Sequence, residues 1–412
     1  MWKRFINISH SDKIKDYYKR AYKDLYNTYR IQTINITINQ EGAEKNIEPH
    51  ITQIYKKTLE DVIEFLKNTG ESDNVYINTF EESLTSDIHY IKNKLGQVYT
   101  LNHNLFTDKS IERSVAKKNQ KYQIIPEYIT GNLNEIIKQE KIHFPYIIKP
   151  THGVQSSGVG LMTSHEELQH YKEKQQKIQD KGLKIDNYII EEYIDGPMYT
   201  MTYFVDSRGR ITLYSYDKVE TLYDIGINDF SLFARIIEPL SNDIIQKMQK
   251  IAQETVEIFS IRNVFVHHES KYQNEQTMKL VEINGRIGGF RVEMYDYAYG
   301  INLLEYTISG YKPIPQYKKN VIAISLRPNQ NNVQWIGINQ DIWQKIESLP
   351  SYKKSKILKQ KLHTTIGFSK YGHTRVGSII LENENHEQLM QDYKTIKNVY
   401  ADILLHKDLE EI

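Results

Sequence analysis

The chain contains no cysteine. That excludes disulfides, thiolate zinc sites and a cysteine nucleophile. It also has almost no net charge: 53 Lys and Arg against 52 Asp and Glu leave +1. No general field favours nucleic acid or an anionic membrane, and no basic tract marks a nucleic-acid partner. Long apolar runs are missing. No stretch approaches the roughly 18 apolar residues of a membrane span. Met1-Trp2-Lys3-Arg4-Phe5-Ile6-Asn7 lacks the apolar core of a signal peptide. The expectation is a cytoplasmic enzyme or binding protein with no membrane and no nucleic-acid partner. At 412 residues the chain exceeds one compact core, so several domains are expected. The 31 tyrosines are scattered among Lys, Asn and Ile, which reads as nucleotide bias rather than an aromatic binding surface.

Local patterns suggest an α/β chain, α+β in parts. Residues 11–29 read as a helix with Tyr18, Ala21, Tyr22 and Leu25 on one side. Residues 31–38 alternate as a half-buried strand should. Leu59, Val62, Ile63 and Leu66 form a helical stripe stopped by Gly70. Val75-Tyr76-Ile77 reads as a strand, and Ile88, Ile91 and Leu95 as the stripe of a second helix. A further strand is expected at Val98-Tyr99-Thr100-Leu101. Asp108 is positioned to cap a helix. Phe144-Pro145-Tyr146-Ile147-Ile148-Lys149-Pro150 reads as a buried strand with one Lys near its end. Ser164 and Glu167 suit a capping box at a charged helix reaching Gly182. A hairpin is expected across Asp206-Ser207-Arg208-Gly209, and a long helix after Ser241. Past Pro313-Ile314-Pro315 the pattern turns to short strands and a final helix through Leu389, Tyr393 and Ile396. Domain boundaries are expected at 1–104, 105–190, 191–312 and 313–412.

The chemistry concentrates around Leu280-Val281-Glu282-Ile283-Asn284-Gly285-Arg286-Ile287-Gly288-Gly289. Glu282 and Asn284 are two apart on a strand, so both leave the same face. A carboxylate and an amide oxygen there suit Mg²⁺. Arg286 beside them suits bidentate contact with a phosphate or carboxylate. Gly288-Gly289 would let the backbone approach a ligand. Taken alone, the run is equally an edge strand ending in a Gly turn. Val264-Phe265-Val266-His267-His268-Glu269 reads as the preceding strand, turning near Asn274-Glu275-Gln276, so Glu269 should face Glu282 across a hairpin. Adjacent strand residues point to opposite faces, so His267 and His268 should not share an ion. After Lys149 comes Thr151-His152-Gly153-Val154-Gln155-Ser156-Ser157-Gly158-Val159-Gly160. Its backbone N–H groups suit phosphate oxygens, although Val159-Gly160 stands where a P-loop needs Lys-Ser/Thr. Together these elements read as a nucleoside triphosphate site. Arg291 and Lys218 read more readily as solvated surface charges.

Over roughly residues 75–310 the sequence resembles the ATP-grasp superfamily, most closely its carboxylate–amine (L-amino acid) ligases. Asp108-Lys109 resembles an early motif whose Lys approaches the ATP phosphates. Ile148-Lys149-Pro150 resembles the strand bearing a second phosphate Lys, and His152, Gly153, Ser156, Ser157 and Gly158 belong to the mobile loop that follows. Glu191-Glu192-Tyr193-Ile194 resembles the adenine hinge, read by backbone groups near Glu192 and Ile194. Glu269, Glu282 and Asn284 match metal ligands, and Arg286 a catalytic positioning arginine alongside Lys149. Thr374-Arg375-Val376-Gly377-Ser378-Ile379-Ile380 resembles part of a small C-terminal subdomain. Met198 departs from the pattern: many members carry a ribose-binding Glu there, and Glu191 is the candidate replacement. The N-terminal half also lacks a glycine-rich βα turn, which leaves the carboxylate substrate unassigned.

The resemblance implies an ATP-grasp architecture: an N-terminal α/β domain, a small lid domain and a C-terminal mixed-sheet domain with an added small subdomain. It implies ATP with Mg²⁺, two ions in the usual arrangement and Mn²⁺ as a substitute. Small carboxylate and amine substrates, amino acids foremost, would be joined through an acyl phosphate, by a chain that forms a homodimer. Two other readings stand beside it. One keeps the fold and changes the acceptor, to bicarbonate or to a protein chain that receives an amino acid. The other is an ATP-binding sensor without turnover.

Overall fold

The computed structural model describes the chain except residues 1–3, 71–74, 98, 101, 120–122, 139–142, 154, 155, 157, 181–186, 274–276, 308–316, 329–332, 359–364, 367, 370, 371 and 409–412. Val98, Leu101, Ser157, the turn at 274–276 and the prolines at 313 and 315 therefore lie outside the described residues. The class is mixed α/β with several sheets.

The N-terminal sheet has five strands, in the order Lys45–Glu48, Ile51–Lys56, Gln32–Ile38, Arg4–Ser9 and Val75–Asn78. All but the first edge strand pair in parallel. The helices Leu59–Asn68 and Thr85–Lys94 cover one face with the expected stripes. The helices Asp16–Tyr29 and Arg291–Tyr299 cover the other. Two covered faces change the reading of residues 31–38. Gln32–Ile38 is buried on both sides rather than half-buried, as a central parallel strand must be. Asn35 and Thr37 join a ladder across three strands, while the buried Thr33 hydroxyl has no partner among the described residues. Asn7 donates to Asn35 at 2.7 Å, Asn35 to Gln53 at 2.7 Å, and Gln53 to Thr37 at 2.8 Å. Buried amides so paired avoid the cost of an unmade hydrogen bond.

A second, antiparallel sheet holds Tyr128–Gly131, Tyr188–Glu192, Tyr146–Pro150 and Gly160–Met162, in that order. The helix His165–Asp180 packs on it through Leu168 and Tyr171. Glu167 does act at the start of this helix, but its carboxylate accepts from Thr163 N–H at 2.6 Å, one residue before Ser164. Tyr188–Glu192 stays in this sheet to its last residue, so a division between 190 and 191 falls inside a strand.

The large sheet has eight antiparallel strands, in the order Met278–Asn284, Val264–Tyr272, Met198–Val205, Ile211–Thr221, Leu232–Ile237, Asn320–Leu326, Gly377–Asn383 and Tyr352–Ile357. The helix Asn242–Phe259, capped by Ser241 as expected, buries its apolar stripe in one of the cores against this sheet. The last hundred residues extend it with Asn320–Leu326, Gly377–Asn383 and Tyr352–Ile357. They also build a smaller three-stranded sheet from Val333–Ile338, Thr365–Ile366 and Leu404–Asp408. The final helix, His386–Ile403, closes the core between them through Leu389, Tyr393, Ile396 and Tyr400. The strand Leu404–Asp408 follows that helix without a loop.

Candidate functional site

A cavity of about 480 Å³ opens between the small antiparallel sheet and the large one. One wall is the hairpin of Val264–Tyr272 and Met278–Asn284. Its register pairs Glu269 with Glu282 and His267 with Asn284, with an irregularity after Glu269. Both carboxylates line the cavity. Asn284 sits deeper, and its Oδ1 is a buried acceptor with no hydrogen-bond partner among the described residues. No group of three or more His, Cys, Asp or Glu among the described residues closes on one point. The donor set is instead two carboxylates and an orphaned amide oxygen, all hard oxygen ligands, which fits Mg²⁺.

His267 lies on the same strand face as Glu269, its Nε2 2.9 Å from Oε1 of that residue. Burial first, then Arg291, Arg235 and Arg286, hold it well below the usual histidine value. His268 points away into the core, 3.2 Å from the Tyr203 hydroxyl. The adjacent histidines thus share nothing, as strand alternation requires.

The expected phosphate lysines reach the cavity from two elements. Asp108 caps the helix Lys109–Lys118. The Lys109 ammonium lies 3.2 Å from Glu282 Oε1 and 3.4 Å from the Gly153 carbonyl. Burial opposes its charge, but Glu282, Glu82 and Glu112 together outweigh burial and raise it. Lys149 lines the cavity too, yet its ammonium is held by Glu191 at 2.5 Å. Glu191 gives its other oxygen to Arg113 at 2.6 Å. Burial would raise that carboxyl, but Arg113 and Lys149 bring it below the usual range. Each oxygen of Glu191, which lines the cavity, therefore already accepts from one buried cation.

The hinge residues Glu192, Tyr193 and Ile194 line the cavity with Met198. Glu192 N–H donates to the Glu127 carbonyl at 3.0 Å, and Tyr193 N–H to Pro145 at 3.4 Å. Ile194 O accepts from Lys271 at 3.0 Å, while Ile194 N–H has no acceptor among the described residues. Of the glycine loop, Gly153 and Ser156 line the cavity; His152 and Gly158 do not. The His152 side chain is 68% exposed and faces Asp108 at 3.5 Å. Gly158 adopts φ +72°, where a Cβ would collide with Pro150.

Arg286 and Asn284 sit just past the lining. Arg286 is ion-paired with Glu82, which follows the Val75–Asn78 strand of the N-terminal sheet. The reading of a solvated charge fails for Arg291, while the Lys218 side chain keeps 32% exposure. Lys218 lines the cavity. Arg291 is fully buried and ion-paired with Asp217 at 3.3 Å. Gly288 has a different use from the expected one: a Cβ there would strike the Arg291 guanidinium, so it makes room for that side chain. Arg235, on the unforeseen strand Leu232–Ile237, reaches Asp217 at 3.0 Å and Glu269 at 3.7 Å.

Arg113 is the largest omission. Fully buried, it donates to the carbonyls of Val281 at 2.8 Å and Leu280 at 3.3 Å and pairs with Glu112 and Glu191. Glu112 accepts from Ile283 N–H at 3.2 Å. One helix turn thus grips the strand that carries Glu282 and Asn284. A signal existed. Lys109, Glu112, Arg113 and Ala116 form the buried stripe of this helix at helical spacing, a stripe made mostly of charge.

With this geometry in hand, residues 142–293 match the family model of the ATP-grasp domain, and the chain carries that domain. No curated protein matches the sequence. Among solved structures, the fold is similar to L-amino acid ligase from Bacillus licheniformis, with a TM-score of 0.73 and 15% identity over 99% of both chains. It is similar to N5-carboxyaminoimidazole synthase from Aspergillus clavatus, solved with ADP and 5-aminoimidazole ribonucleotide, with a TM-score of 0.68 and 12% identity over 98% of this chain and 99% of the other. Phosphoribosylglycinamide synthetase from Anaerococcus prevotii gives 0.62 and 17% over 99% and 100%. The likeness runs through the N- and C-terminal regions as well as the matched domain, so the whole chain has the ATP-grasp fold. No helix among the described residues is long and apolar enough to cross a membrane.

Proposed function

We propose that the protein is an ATP-dependent ligase that joins a small carboxylate to an amine through an acyl phosphate. The observation that carries this reading is the pairing of Glu269 with Glu282 on the cavity wall, beside the orphaned Asn284 oxygen and Lys109. These oxygens would hold Mg²⁺, which would neutralise phosphate charge during transfer. Lys109 and Lys149 add positive charge on two sides of the same space. Ile194 N–H would meet the adenine edge, and the backbone of Gly153 and Ser156 would cover the phosphates. A carboxylate oxygen takes the γ-phosphoryl group and ADP leaves. The amine nitrogen then attacks the carbonyl carbon, the carbon–oxygen bond to phosphate breaks, and the ammonium proton passes to solvent. Positioning and charge neutralisation carry the first step. Arg286, pointing from the hairpin end toward the N-terminal sheet, would orient the anionic intermediate.

The test is isotopic. Pairs of free amino acids are screened for ADP release and amide formation by mass spectrometry, and an active pair is repeated with ¹⁸O in the donor carboxylate. One ¹⁸O per released phosphate is expected. Amide with unlabelled phosphate would point to an adenylate and remove the role of Arg286. Tight ATP binding without any amide would favour the sensor or a macromolecular acceptor.

A further inference from the structure

The strand that carries Glu269 reaches the hinge end of the cavity two residues later. Lys271 leaves the same strand face as Glu269, opposite Met198 in the register. It lines the cavity, and its ammonium donates to the Ile194 carbonyl at 3.0 Å. The same ammonium lies 5.1 Å from the centre of the Tyr193 ring. Neighbouring contacts hold this one in place. Tyr272 N–H donates to the Pro197 carbonyl at 3.0 Å, and Gln273 Nε2 donates to the Glu192 carboxylate at 3.0 Å. Gly196 packs so closely on the strand end that a Cβ there would collide with the Tyr272 carbonyl oxygen. Hinge and strand end are thus fastened at Glu192, Ile194, Gly196 and Pro197, and Lys271 is the fastening that brings a positive charge to the cavity wall.

Ile194 therefore presents an uneven edge. Its N–H has no acceptor among the described residues, while its carbonyl holds an ammonium. When one residue meets a flat partner edge-on, its N–H and C=O serve neighbouring positions, as they do in a bonded pair of antiparallel strands. With the N–H on N1 of a purine, the carbonyl faces ring position 2. Adenine carries only hydrogen there and needs no acceptor. Guanine carries an amino group there, which would give up water and meet an ammonium at the acceptor it needs. Two carboxylates, Asp195 and Asp224, also line this end of the cavity, but both residues are exposed. Asp224 already accepts from the N–H and hydroxyl of Thr221, at 2.6 and 2.7 Å.

We propose that Lys271 determines base specificity: by occupying the Ile194 carbonyl it excludes purines that carry a 2-amino group. Selection works here by placing a donor where the wrong base also brings a donor, not by adding a contact to the right one. The proposal rests on the nucleotide-binding half of the ligase reading and is independent of which carboxylate and amine are joined. Lys271 touches none of the reacting atoms. Because Glu269 and Lys271 share one strand face, the same strand that offers a carboxylate to the metal also screens the base.

Calorimetry with Mg²⁺ and three nucleotides tests this without any amine or carboxylate substrate. 2-Aminoadenosine triphosphate differs from ATP by the 2-amino group alone. Its Kd for the wild-type protein should be roughly 10- to 100-fold above that of ATP, the range for one buried donor left without an acceptor. 2-Chloroadenosine triphosphate fills the same position without an N–H and should bind close to ATP. Lys271→Met should bring the 2-amino nucleotide close to ATP, and Lys271→Arg, which keeps a donor on the carbonyl, should preserve the gap. A lysine with a merely structural role would weaken both nucleotides alike and leave their ratio unmoved. Equal binding of ATP and its 2-amino analogue by the wild type would overturn the proposal and leave the ligase reading standing. Equal rejection of the chloro and amino analogues would overturn it too, since lack of space would then be the cause. The wild-type comparison decides even if Lys271→Met does not fold. No binding of ATP at all would sink the ligase reading and this proposal together.

Discussion

The two walls of the cavity use the same residue types and reach opposite outcomes. On the hairpin wall, the Glu269 and Glu282 side chains keep 20% and 22% exposure, and Asn284 Oδ1 has no partner among the described residues. On the hinge wall, Glu191, Arg113 and Lys149 are all but sealed, and both oxygens of Glu191 are taken. The first wall has ligand capacity left over. The second is a strut that fixes Lys149 and clamps Val281. The difference lies in how many acceptors the local cations consume. Lys109 approaches one oxygen of Glu282, whereas Arg113 and Lys149 engage both oxygens of Glu191. A charge cluster is therefore a ligand site only where its lone pairs are incompletely used.

Removing Arg113 should break the strut and give the largest effect. Arg113→Met would leave Glu191 and Glu112 buried beside one fewer cation. Breaking a buried pair from one side costs about 3–5 kcal/mol. Urea unfolding should show that loss, and the strand bearing Glu282 should lose hydrogen-exchange protection with it. An unchanged midpoint would mean that these contacts contribute nothing net.

Glu282→Gln attacks the other wall and should behave oppositely, with activity lost and stability kept. Neutralising one metal-facing carboxylate typically costs on the order of 10²-fold or more in rate. Because the side chain is partly open, the unfolding midpoint should stay near that of the wild type. Wild-type turnover with Mg²⁺ would remove Glu282 from the metal set.

The same contrast decides what was legible in the sequence. The hairpin was readable because strand alternation alone places Glu282 and Asn284 on one face, and the span between the two strands sets Glu269 opposite Glu282. The helix stripes at Leu59–Asn68 and Asn242–Phe259 were readable because their spacing is apolar and regular. The strut was not, because its helix hides a charged stripe where periodicity reasoning looks for apolar residues. Arg291 was misread for a related cause. A lone Arg after two glycines looks solvated until Gly288 is seen to yield it space and Asp217, 74 residues away in sequence, to pair with it. The strand Leu232–Ile237 follows an irregular segment at 223–231, and the N-terminal sheet mixes amides into buried strands, so alternation there signalled a half-buried strand where none exists.

Lys92 supplies the limiting case, a buried cation with no carboxylate paired to it among the described residues, and the smallest effect at fixed pH interval. It lies on the helix Thr85–Lys94, donates to the Asn263 carbonyl at 2.9 Å and stands 5.0 Å from the Tyr76 ring centre. Burial alone lowers it to about 7. In the unfolded chain a lysine titrates near 10.4. Between those values the unfolded state holds more protons than the folded one, so stability should rise with pH through this window. The full contribution is reached above the unfolded value and is lost as pH falls toward 7. One proton sets a slope of about 1 kcal/mol per pH unit in mid-window. Lys92→Met keeps most of the packing and removes the titration. Urea midpoints at pH 7, 8 and 9 should therefore converge for wild type and variant as pH rises, with the wild type gaining on the variant at each step. Parallel curves would mean that Lys92 stays charged in the fold, and that its backbone and ring contacts suffice where Arg113 required two carboxylates.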